Sequence, residues 1–200
     1  MSLFDALSIP IVLRLSNRTT SPEKLKKLAE HKHSYVRMNV ALNKYTPADT
    51  LKKLAKAKNT DIHKFVARNP NTPVETLKKL AQNPDESIRR DVANNKKVPS
   101  SILQLLSKDD NYYVRLQVAT NKNIQLPLMR ELAKDDIRGA IQVVIIKNSK
   151  IDVDLLLYIL DYIRSIPEPN EFVIKHLYKH PLLPIFAKRI IETLFGEMLT

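Results

Sequence analysis

The stretch Val66-Ala67-Arg68-Asn69-Pro70-Asn71-Thr72-Pro73-Val74-Glu75-Thr76-Leu77-Lys78-Lys79-Leu80-Ala81 decides the fold, because most of it recurs along the chain. Asn17, Asn43, Asn69, Asn95 and Asn121 are spaced 26 residues apart, and Asn148 follows after 27. Leu25, Leu51, Leu77, Leu103 and Met129 hold one register position, and Leu28, Leu54, Leu80, Leu106 and Leu132 hold another. Ala29, Ala55, Ala81, Ser107 and Ala133 come next. Val36, Ile62, Ile88 and Val114 follow, then Val40, Val66, Val92 and Val118, each trailed by an alanine (Ala41, Ala67, Ala93, Ala119). A fixed period of this length is the signature of stacked structural repeats.

Each period reads as two helices. Pro47, Pro73 and Pro99 mark the start of the first. Thr46 and Thr72 are expected as N-caps, with proline at the first helical position, where its missing N–H costs nothing. Ser21-Pro22-Glu23 takes this place in the first copy. The leucines and the alanine then form one apolar stripe at helical spacing. The pairs Lys26-Lys27, Lys52-Lys53 and Lys78-Lys79 occupy the other side. The second element carries its apolar residues four apart and ends at the asparagine. It is expected to be short and in part 3₁₀. Neither helix can bury its stripe alone, so the core must form between neighbouring repeats.

Farther on, Asp152 is expected to cap an apolar helix over 153–163, and Pro167-Glu168-Pro169-Asn170 to make a turn. Val173 and Leu177 repeat the pattern of Ile88 and Val92, and a last helix is expected over about 185–198. The expected organisation is a cap over 1–16, five tandem repeats over 17–148, and a degenerate repeat with a helical cap over 149–200. These are expected to form one continuous body.

The phrase quoted above resembles the leucine-rich repeat variant family, whose units read roughly Val-Ala, Asn-Pro, Thr-Pro, Leu-x-x-Leu-Ala, Asp, then Val-Arg. Asp85 with Ile88-Arg89 and Asp109 with Val114-Arg115 extend the likeness, which covers about residues 17–148. The resemblance implies an all-α, right-handed α-solenoid, a superhelix of 26-residue two-helix repeats akin to HEAT and armadillo arrays. It also implies binding or scaffolding, and it supplies no catalytic residues. The units here are slightly longer than that family's, and the Arg after Val is replaced by His63 and Gln142 in two copies.

Composition narrows the function. Only Gly139 and Gly196 are glycine, which argues against Gly-rich phosphate loops. The absence of cysteine excludes disulfides, iron–sulfur clusters and thiolate zinc sites, and it fits a reducing cytoplasm, the expected location. Met1-Ser2-Leu3-Phe4-Asp5 opens no signal peptide, and the apolar run at 141–146 is too short to span a bilayer, so no membrane partner is expected. The net charge of +12 is uneven. Residues 17–120 hold 21 Lys/Arg against 10 Asp/Glu, whereas 121–200 hold 11 against 10. An acidic partner for the regular repeats follows from this.

Two basic columns are the candidate binding residues. Arg37, Arg89 and Arg115, with His63 in register, recur once per repeat, as do Lys27, Lys53 and Lys79. Such ladders could track an acidic chain or a phosphate backbone. Equally, the arginines could bond helix-end carbonyls or pair with Asp85, Asp109 or Asp110, and the lysines could be a solvated face shared with Glu23, Glu30, Asp49 and Glu75. The column Asn17, Asn43, Asn69, Asn95, Asn121 and Asn148 reads as structural, bonding backbone groups at the inter-repeat turns.

The leading expectation is a non-enzymatic binding or scaffold protein for an acidic protein or peptide. Sequence-independent nucleic-acid binding is the runner-up, with Tyr35, Tyr45, Tyr112 and Tyr113 available for stacking, although Trp is absent. A minor alternative is a HEAT-like DNA alkylation-repair enzyme built around Asp109-Asp110-Asn111-Tyr112-Tyr113. His176 and His180 have the spacing of a metal pair but lack a third ligand and an intervening acid. Asp135-Asp136 read as caps or loop residues. No catalytic residue, metal, cofactor or small-molecule ligand is expected.

Overall fold

The computed structural model describes residues 9–134 and 140–199, apart from the side chains at 140 and 143. The expectations on residues 1–8 and on Asp135-Asp136 lie outside these. Among the described residues the chain is all-α, with fourteen helices and no strand. It divides into two compact units, Met1–Leu106 and Ser107–Thr200. No helix among the described residues is long and apolar enough to cross a membrane.

The first unit contains α1 (Ile9–Arg18), α2 (Pro22–Leu28), α3 (Ser34–Leu42), α4 (Ala48–Leu54), α5 (Thr60–Arg68), α6 (Val74–Leu80), α7 (Glu86–Asn94) and α8 (Ser100–Leu106). The helices keep the sequence period: α2, α4, α6 and α8 start 26 residues apart, and so do α3, α5 and α7. The second helices form a continuous layer, with α1 against α3, α3 against α5 and α5 against α7. Each first helix packs on the second helices beside it. The core lies between the two layers. Leu25, Leu28, Leu51, Leu77 and Leu103 from the first helices meet Val36, Val40, Ile62, Val66, Ile88 and Val92 from the second, and all are fully buried. This arrangement is consistent with an α-solenoid.

Two local expectations are corrected. The second helices are short, at nine residues, but α-helical throughout rather than partly 3₁₀. Packing against like helices, on both sides for α3 and α5, supplies the tertiary burial that a short α-helix needs. Caps assist: Asn59 Oδ1 accepts from the Asp61 N–H and Asp85 Oδ1 from the Ser87 N–H. The Ser87 hydroxyl, donating to Asp85 at 2.6 Å, is the first cause holding the Asp85 carboxyl below its ordinary range.

The second correction concerns Thr46 and Thr72. They do not cap the helices that follow. Pro47 and Pro73 are themselves the N-cap residues, extended at φ −62° and −59°. The threonine hydroxyls instead donate backwards, Thr46 Oγ1 to the Val40 carbonyl and Thr72 Oγ1 to the Val66 carbonyl, both at 2.5 Å. Those carbonyls belong to the last turn of the preceding helix, where each otherwise accepts only the i+3 N–H of the closing asparagine, at 3.1 Å. Proline before the first helical residue holds the extended conformation without needing a donor. In the first copy Ser21 does cap α2, accepting from the Lys24 N–H, with Pro22 at the first helical position.

The second unit contains α9 (Tyr112–Thr120), α10 (Leu126–Lys134), α11 (Ala140–Ile146), α12 (Val153–Ser165), α13 (Glu171–Tyr178) and α14 (Ile185–Leu199). Here α9 packs on α11, α11 on α13, and α10 on α12. Asp152 caps α12 by accepting from the Leu155 N–H at 2.8 Å. Val173 and Leu177 are fully buried. The last helix carries a break at Phe195 (φ −134°, ψ 21°).

Candidate binding surface

Four members of the asparagine column, Asn43, Asn69, Asn95 and Asn121, are buried at the turn where each second helix ends. Asn69 Nδ2 donates to the carbonyls of Ala41 (2.7 Å) and Asn43 (2.9 Å) one repeat earlier, and its Oδ1 accepts from the Asn71 N–H. Asn95 repeats this on Ala67 (2.6 Å), Asn69 (3.0 Å) and the Lys97 N–H. Asn43 reaches the carbonyls of Ser16, Asn17 and Thr19. Asn121 and Asn148 accept from the N–H groups of Asn123 and Lys150. Asn17 is exposed, and its carbonyl serves as an acceptor for Asn43. An amide is the side chain that can donate twice and accept once at a single point, which is what a turn with unpaired carbonyls and a free N–H requires.

The arginine column is half-buried and turned onto backbone. Arg37 Nη1 donates to the carbonyls of His31 (2.6 Å) and Lys32 (2.9 Å). Arg89 does the same on Asn83 and Pro84, and Arg115 on Asp109 and Asp110, all between 2.8 and 3.1 Å. These carbonyls sit in the loop leading out of each first helix. A guanidinium there satisfies acceptors and meets the negative end of the helix dipole. We expect Arg89→Ala to lower the unfolding free energy by about 1–2 kcal/mol, with Arg89→Lys recovering only part of it, in urea titrations.

The lysine column faces solvent. Lys27, Lys53 and Lys79 are exposed on α2, α4 and α6, as are their neighbours Lys26, Lys52 and Lys78. Lys53 Nζ pairs with Glu30 Oε1 at 2.6 Å, and that hydrogen bond holds the Glu30 carboxyl below its ordinary range. Glu23, Asp49 and Glu75 stand in the first turns of the same helices, where the dipole favours them.

His63 stands apart from its column. Both ring nitrogens are shielded from solvent and have no hydrogen-bond partner. It lines a cavity of about 190 Å³ with Lys52, Lys56, Glu75, Lys79 and Leu80, set between α4 and α6. The periodic sequence carried a signal for this cavity: Arg37 becomes His63, and Glu30 becomes Lys56, one period on. A second feature carried no such signal. Asp91 is buried, with Oδ1 taking the Arg68 Nε–H at 2.8 Å while Oδ2 has no partner.

The remaining candidates are dispersed. Tyr35, Tyr45 and Tyr113 are exposed, whereas Tyr112 packs edge-on to Tyr113 with the Arg115 guanidinium 5.8 Å from its ring. Asp109 and Asp110 line an open cavity of about 530 Å³ in the second unit, together with Glu131, Lys108 and Arg115. His176 Nδ1 lies 2.7 Å from the Phe172 carbonyl, and His180 Nδ1 accepts from the Leu182 N–H. Among the described residues no group of three or more His, Asp or Glu could hold a metal ion. No family model matches the chain, and no curated protein matches its sequence.

Proposed function

We propose that this chain is a non-enzymatic binding module, an α-solenoid of leucine-rich repeat variant type, that docks an acidic protein or peptide on the lysine-bearing face of α2, α4 and α6. The observation that carries this reading is the contrast between the two basic columns. The arginines are turned onto backbone carbonyls within their own repeats, whereas the lysine pairs face solvent at one pair per repeat. A rigid stack presenting the same cation at a fixed interval suits an extended partner with carboxylates.

Nucleic acid is the second reading, favoured by the same regular spacing. Against it, Glu23, Asp49 and Glu75 share these helices and would repel a continuous phosphate backbone, while a peptide can place its few carboxylates between them. An enzymatic reading finds little support in the acid-rich cavity at Asp109, Asp110 and Glu131, where a polyanionic substrate would meet three carboxylates.

The test is a charge reversal. Combining Lys27→Glu, Lys53→Glu and Lys79→Glu is expected to weaken binding of a labelled hexaglutamate peptide at least a hundredfold in fluorescence anisotropy, at unchanged helical content. A duplex DNA probe would carry the second reading instead if it bound tightly and its log–log salt slope fell by about one per lysine removed.

A further inference from the structure

We propose that the cavity over His63, between α4 and α6, receives one carboxylate side chain of an acidic peptide partner. This deepens the surface reading above and rests on it. The comparison that leads here is internal. In the gap between α2 and α4, the protein closes itself. Glu30 Oε1 takes the Lys53 ammonium at 2.6 Å, and Arg37 Nη1 spans the carbonyls of His31 and Lys32. One period later the three residues at these positions are Lys56, Lys79 and His63. The acid of the clip has become a base, so the clip cannot form. The guanidinium has become an imidazole, which is too short to span the loop carbonyls. Both closures are lost in the same gap, and a cavity of about 190 Å³ remains.

Its chemistry is one-sided. Lys52, Lys56 and Lys79 line it against the single carboxylate of Glu75. Neither Lys56 nor Lys79 is in an ion pair among the described residues. A carboxylate entering between them would stand where Glu30 stands in the preceding gap. His63 adds direction. An imidazole carries at least one N–H donor, and the ring nitrogens of His63 are shielded from water without partners. With a small turn of the ring toward the cavity it lines, an incoming carboxylate oxygen would give the ring N–H the acceptor it lacks, and leaving such a donor unpaired is costly. Leu80 supplies an apolar wall for the methylene stem. The volume is below the roughly 300–1,000 Å³ of cofactor and drug sites, and it suits one side chain. The next gap, between α6 and α8, lacks these features. Gln82 and Leu105 hold the clip positions there, and Arg89 keeps its bonds to the loop carbonyls.

The experiment measures fluorescence anisotropy of a labelled hexaglutamate peptide with the full chain at low salt, using hexaglutamine as the blank. The variants are Lys56→Glu, His63→Arg and, as a matched charge change outside the cavity, Lys27→Glu. Lys56→Glu rebuilds the clip to Lys79 and is expected to weaken binding at least tenfold, against no more than threefold for Lys27→Glu. His63→Arg adds positive charge but fills the cavity and restores the loop cap. It is expected to weaken binding about tenfold, where attraction by surface charge alone would strengthen it.

Binding to His63→Arg as tight as to the parent chain overturns the cavity site and leaves the lysine-face reading standing. Equal weakening by Lys56→Glu and Lys27→Glu does the same, and decides the matter if His63→Arg does not fold. Absence of any hexaglutamate binding by the folded parent chain overturns both.

Discussion

Asn95→Ala is expected to lower the unfolding free energy by about 3 kcal/mol, more than Arg89→Ala. Asn95 is 2% exposed and makes three bonds at one turn. Truncation leaves the buried Ala67 carbonyl and the part-buried Lys97 N–H without these partners. The Asn69 carbonyl retains the Thr72 N–H at 3.2 Å. Two orphaned backbone groups at about 1–3 kcal/mol each set the estimate. For a unit of about 100 residues this corresponds to a fall in Tm of roughly 15 °C in a thermal melt. Asn95→Asp should be no better, because it removes both donors and sets a carboxylate against two carbonyl oxygens. Asn17→Ala is the control. It occupies the same column but is exposed at the first turn, and the expected change is within about 0.5 kcal/mol. Equal losses at Asn17 and Asn95 would show that the ladder is not the source of the stability.

Leu77→Ala is expected to cost a similar amount, about 3 kcal/mol, through a different mechanism. Leu77 is fully buried, on a helix of only seven residues that contacts α5 and α7. A helix of that length has almost no stability of its own. The substitution removes three carbons from the core and leaves a cavity that a packed two-layer array fills poorly. Opening should therefore be local before it is global. Hydrogen exchange is expected to accelerate first at the Leu77 and Ala81 amides, which bond to the carbonyls of Pro73 and Leu77, and less in α7. Val74→Ala, on the same helix but half exposed, should change stability by no more than about 0.5 kcal/mol. Uniform loss of protection across the first unit would instead mean that its repeats open as one block.

These two substitutions mark what the residues alone made legible. The columns at Leu25, Leu51 and Leu77, at Val40, Val66 and Val92, and at Asn43, Asn69 and Asn95 could be read from the period, because a repeated position meets a repeated environment. Thr72 could not be read correctly. Its hydroxyl has two acceptable tasks within a few residues, capping the next helix or closing the last turn of the previous one. Both leave the same mark in sequence, and the distance to the Val66 carbonyl selects the second. The expectation of 3₁₀ geometry in the second helices failed for a related reason, since the neighbours they pack against favour a regular α-helix.

The basic columns divide along the same line. That Arg37, Arg89, Arg115 and the lysine pairs recur was plain in the sequence, as was the crowding of positive charge into the regular repeats. Whether a guanidinium faces a partner or folds back onto its own loop depends on the reach of one side chain across a turn, and the fold placed all three on carbonyls. His63 and Lys56 were visible only as departures from the pattern. That the two departures fall in one gap, shielding an imidazole beside three lysines, required the packing of α4 against α5 and of α5 against α6. The sequence by itself therefore determined the period, the helices and the apolar and asparagine columns, because these follow from local spacing repeated in register. Tertiary structure alone decided which polar groups are bonded internally and which face solvent. Those choices turn on distances of an ångström between residues of neighbouring repeats.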